Sequence, residues 1–126
     1  MYGKGGMDVD AEKNERLYYG AKEYRVIDAA PSGRYALAQD AAYLGHGRYG
    51  AFSGVPIVLF RVADGQPEPV AETDFPFDDL DGPWLDDVLW LEEKGVVKLC
   101  FMAMELSEMR SRRLSLSGKN RIEERP

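Results

Sequence analysis

Histidine and cysteine each occur once in this chain, at His46 and Cys100. A single cysteine excludes an internal disulfide, and one histidine with one cysteine is too few soft ligands for a zinc site. Cys100 lies in the apolar run VVKLCFMAM and reads as a buried core thiol, because a reactive thiolate needs a basic or polar neighbourhood. No apolar run approaches the ~20 residues of a membrane span. The longest, VPIVLF at 55–60, has the size of one strand. The opening residues, MYGKGGMDVDAEKNER, are charged and hold no apolar segment of a secretory signal, so the expectation is a cytoplasmic protein. Lysine and arginine are missing altogether from residues 62–93.

That last absence shapes the charge of the whole chain. Its 126 residues are 44% hydrophobic and 30% charged, enough apolar side chains for one core. The net charge is -6. Residues 1–61 carry 8 basic and 7 acidic side chains, residues 62–93 carry none and 11, and residues 94–126 carry 8 and 4. The acidity is one block. A chain acidic overall is poorly suited to phosphate backbones, which excludes nucleic acid as the expected partner.

Residues 1–14, rich in glycine and then in charge, read as a flexible leader; 15–117 as a single domain; 118–126 as a polar tail. Within the domain, RLYYGAKEYRVIDAA suits a hairpin turning near Gly20 to Glu23, with a short helix over 9–19 as the competing reading. Tyr35, Leu37 and Gln39 alternate with alanines, which favours a strand. GHGRYGAFSG (45–54) is a loop, and VPIVLFRV (55–62) a strand apolar on both faces. Asp64-Gly65 suits a hairpin turn, with 70–73 returning. DVLWLEE, the Lys94-Gly95 turn and VVKLCFMAMEL give a further hairpin, and 107–117 is ambiguous between strand and helical turn. The fold class is therefore mainly β: a curved antiparallel sheet or small sandwich or barrel of about seven short strands, with room for one short helix.

The stretch TDFPFDDLDGPWLDD at 73–87 sets six aspartates among three aromatics and two prolines. As a calcium loop it fails. Aligning Gly82 to the invariant glycine of an EF-hand puts Phe77 and Val88 where acidic ligands belong. Paired carboxylates such as Asp78/Asp79 and Asp86/Asp87 point to opposite sides of an extended chain, so neither pair converges by itself. His46 in GHGRYG has no neighbouring nucleophile motif and reads as a solvated imidazole on a flexible loop. RSRRLSLS is a basic stretch that either balances the acidic block across the fold or forms a solvated face. No catalytic set, metal or cofactor is expected, and the chain is read as a non-enzyme.

Like charges crowded together cost stability at neutral pH. Aromatic anchors in a charged rim match the anatomy of a binding patch. The expected partner-binding residues are Asp74, Phe77, Asp78, Asp79, Asp81, Trp84, Asp86 and Asp87, with the aspartates steering and Trp84 and Phe77 anchoring. In size, acidity and this stretch the chain resembles the small immunity proteins of bacterial toxin and contact-dependent inhibition systems. That resemblance implies a protein that blocks a basic toxin domain, a nuclease by preference, by occlusion. A calcium- or small-ligand-binding β module using the same aspartates is the alternative.

Overall fold

The computed structural model describes residues 7–8, 15–63, 65–77, 82–104 and 109–118. The chain is mainly antiparallel β, in two sheets. Strands β1 (Met7–Asp8), β2 (Arg16–Tyr19), β3 (Lys22–Ala29), β4 (Tyr35–Asp40), β5 (Ile57–Ala63) and β6 (Gln66–Thr73) form the first, in chain order. Strands β7 (Trp84–Leu91), β8 (Val96–Met102) and β9 (Arg110–Ser115) form the second. One 3-10 turn, Glu92–Lys94, joins β7 to β8, and there is no α-helix among the described residues.

Most local signals act as expected. Gly20 takes a positive φ in the β2–β3 turn, and residues 16–19 are strand, so no helix covers them. Of the segment 107–117, residues 110–115 form β9 and 116–117 a turn. β6 starts earlier than its proline content suggests. Pro67 and Pro69 lie inside it, opposite Val62 and Phe60. They are tolerated because β6 is an edge strand. Residues two apart turn their main-chain nitrogens the same way, so both missing donors fall on the unpaired side.

The alternation of β4 and β5 builds two cores. Leu37, Ile57 and Leu59 face the second sheet and join Leu85, Leu99, Phe101 and Leu114 in the main core. Ala36, Ala38 and Phe60 face the other way and join Leu17 and Val26. This second cluster lies within the curl of the six-stranded sheet, which brings β2 close to β6. Tyr24 meets Phe60 edge-on at 4.9 Å between centroids. Strands buried on both faces carry apolar side chains at successive positions, which explains the unbroken run at 57–60.

Three register shifts interrupt the ladders: one where Leu59 and Phe60 face Ala71 and Pro69 of β6, and bulges in β3 between Val26 and Asp28 and in β7 between Leu85 and Asp87. An extra residue in one strand re-aims the side chains around it. These bulges set the polar groups described next.

Candidate functional site

The glycine-rich loop 45–54 packs across β7 and is pinned from beneath. Gln39, fully buried, donates through Nε2 to the carbonyls of Phe52 (2.8 Å) and Val55 (3.0 Å). Its Oε1 accepts from Phe52 N–H at 2.8 Å. From the side, Arg25 Nη2 donates to the carbonyls of Gly50 (2.7 Å) and Tyr43 (3.1 Å). A side chain at Gly45 would collide with the Ala51 carbonyl, and Gly47 takes φ +88° directly against the Trp84 ring. The expectation of a flexible loop is thus corrected. It is tied down at Gly50 and Phe52, and His46, though exposed, lies 3.3 Å from the Gly82 carbonyl through Nε2.

Under this loop the structure gathers Trp84, Asp86 and Asp87. The Trp84 indole N–H donates to Asp86 at 3.1 Å. Asp87 accepts from its neighbour Val88 N–H (2.9 Å) and stands 3.5 Å from the Tyr49 hydroxyl. The β7 bulge sets Asp86 and Asp87 against Cys100, and both charges act on that thiol. An unbroken strand would have sent one carboxylate to each face, so the pair converges where period-two alternation says it should not. Burial first, then Asp87 and Asp86, push the Cys100 thiol upward against the opposing pull of Lys98. It stays a protonated core thiol.

Deeper in the same region, the β3 bulge turns Asp28 toward the second sheet, where it accepts from the Trp90 indole N–H at 2.8 Å. Burial raises the Asp28 carboxyl above its ordinary value; Trp90 and Arg48 oppose this and Asp87 adds to it. Glu15 is raised as well, by burial and then by Asp28. A folded state that holds these protons more tightly than the unfolded chain loses stability as pH rises through the window between the ordinary and the raised values. Asp28→Asn keeps the acceptor for Trp90 and removes the charge. At pH 7 it is expected to raise the melting temperature by up to about 3 °C, corresponding to less than about 1 kcal/mol after discounting for partial solvent screening. The gain should close as the pH falls below the ordinary carboxylate range. Thermal unfolding at pH 7 and pH 3 checks this, and a loss at pH 7 contradicts it.

Asp74 and Phe77 occupy a different place. Phe77 meets Phe101 edge-on, with centroids 6.3 Å apart. Arg110 lies 5.1 Å above the Phe77 ring and donates to the Pro76 carbonyl at 2.8 Å. Glu72 to Phe77 form one wall of a groove of about 1180 Å³, and Arg110 to Ser115 form the other. The expected patch therefore falls into two parts, Trp84–Asp86–Asp87 under the loop and Asp74–Phe77 facing β9. Asp78, Asp79 and Asp81 lie outside those residues. Trp84 and Phe77 are both half-buried, and Phe75 belongs to the core.

Sequence reasoning missed Tyr49, Asp28, Arg48 and Arg110 as neighbours of the patch. Arg110 had a signal in the basic stretch; the others depend on bulges and loop packing that leave no local mark. No three His, Cys, Asp or Glu side chains among the described residues are placed to share a cation. Compared with protein-family models, with curated proteins and with solved structures, the chain matches none.

Proposed function

We propose that this chain is a protein-binding inhibitor of the immunity-protein kind, which occludes a cationic toxin domain with its acidic-aromatic surface. One observation carries the reading. In the segment 62–93, Glu68 is ion-paired with Arg61 at 2.7 Å, while Glu72, Asp74, Asp86, Asp87, Glu92 and Glu93 have no such pair among the described residues. Arg16 and Lys22 pair instead with Glu23 and Asp40, outside this segment. Charge left unpaired within a fold attracts a cationic surface, speeds its approach and selects against acidic competitors.

The mechanism is occlusion, with no bond made or broken. Asp74, together with Asp78, Asp79 and Asp81, supplies negative charge that steers the partner. Asp86 and Asp87 are already held by hydrogen bonds and need little ordering on contact, which lowers the cost of binding. Trp84 and Phe77, both half-buried, are the apolar anchors. A nuclease is the favoured partner because its substrate obliges it to present a basic face.

The test is titration of the chain into a cationic nuclease domain encoded beside its own gene, with cleavage as readout. A complex that stops cleavage is expected. Neutralising Asp74, Asp78, Asp79 and Asp81 to Asn together should slow its formation at least tenfold at low salt. No inhibition, or inhibition untouched by the four substitutions, contradicts the proposal.

A further inference from the structure

We infer that the free edge of β9 takes an extended acidic segment of a partner protein as an added strand. This stands on β9, across the groove from Asp74, and does not rest on the proposed toxin-binding reading.

β9 pairs with β8 and with no other strand. Its hydrogen-bond phase follows from one turn contact. Leu116 N–H donates to the Gly95 carbonyl at 2.9 Å, one step beyond the Val96–Ser115 pair. In an antiparallel ladder bonded and non-bonded pairs alternate, so Leu114, Arg112 and Arg110 bond to β8. The main-chain groups of Ser111 and Arg113 then turn outward. The Ser111 carbonyl accepts from Arg112 Nη1 at 3.2 Å. The outward Arg113 N–H and C=O, and the Ser111 N–H, have no partner among the described residues. The facing edge strand, β6, is blunted by Pro67 and Pro69, whereas β9 contains no proline.

The side chains say what kind of strand fits. Arg110 is engaged by Pro76 and Phe77, but Arg112 and Arg113 are exposed and form no ion pair among the described residues. Successive strand residues project to opposite faces, so Arg112 and Arg113 flank an added strand above and below. The residues opposite them are consecutive in the incoming chain. Two adjacent carboxylates would meet both guanidiniums across the ladder. A second copy of this chain adding its own β9 would set arginine against arginine, which is unfavourable. A nucleic acid brings no peptide groups to complete the ladder. Charged edges also serve simply to block strand addition, and that role predicts that nothing adds.

The probe is a short fluorescent Thr/Val peptide with two adjacent central glutamates, with a matched lysine peptide and an oligothymidine strand as comparisons. Binding is read by anisotropy, and amide exchange by NMR on the intact chain. The glutamate peptide is expected to bind at least tenfold tighter than the lysine peptide, and to protect the Ser111 and Arg113 amides. Arg112→Glu with Arg113→Glu should reverse the preference, so that the lysine peptide now binds; that reversal also reports that the variant is folded. Equal binding of the two peptides, binding without protection of those two amides, or displacement of the peptide by the oligonucleotide would each overturn the inference.

Discussion

Replacing Gln39 with leucine is expected to lower the melting temperature by roughly 10 °C or more. The substitution conserves size and leaves an apolar side chain in a fully buried site. It removes the donors for the Phe52 and Val55 carbonyls and the acceptor for Phe52 N–H. A main-chain group left buried without a partner costs about 1–3 kcal/mol, and three are orphaned together. Some regain water as the loop lifts, so the net cost is about 3–5 kcal/mol, a large share of the ~5–15 kcal/mol that holds a domain together. The loss should be local before it is global. Phe52 N–H should exchange far faster in the variant than the amides of β4 or β5. A fall in melting temperature under about 3 °C would mean that Gln39 does not organise the loop.

Phe101→Ala carries the other large effect. Phe101 is fully buried and lies across from Leu85 and Arg110 in its ladders. Its ring also meets Phe75 at 4.8 Å and Phe77 at 6.3 Å between centroids. Truncating a core phenylalanine costs about 3–5 kcal/mol in lost transfer energy and cavity formation. The same truncation takes away the surface on which segment 74–77 rests. Phe101→Leu, which refills most of the volume, should cost less than half as much. Denaturant unfolding of the two variants measures the difference. Equal losses would show that refilling the volume restores nothing, and would contradict the cavity account.

The strands were readable because their signals are local: β-branched and aromatic runs, alternation, and a glycine or proline at each turn. Strand β5 shows the principle, since apolar residues on both faces require cover on both sides, and two cores supply it. The prolines of β6 hid half of a strand, because whether proline is excluded depends on whether an edge is free, which is decided by topology. The site was less legible. Asp86 and Asp87 were read as diverging on the rule for regular strands, and a single inserted residue brings them together. Asp28 sits in an ordinary apolar stretch, and nothing near it in sequence announces Trp90. The glycines of loop 45–54 suggested freedom, yet Gly45 and Gly47 are small so that the backbone and the Trp84 ring can approach closely. A fully buried glutamine six residues before the loop fixes it, and no local pattern reports that distance.

The central claim is that the described carboxylates of this acidic segment other than Glu68 form no ion pair in the fold because a cationic protein covers them. The association rate of the chain with the proposed cationic nuclease domain, followed from low to physiological ionic strength, tests it most directly. A steep fall with added salt is predicted, flattened when Asp74, Asp78, Asp79 and Asp81 are changed to Asn. A rate indifferent to salt and to those four changes would contradict it.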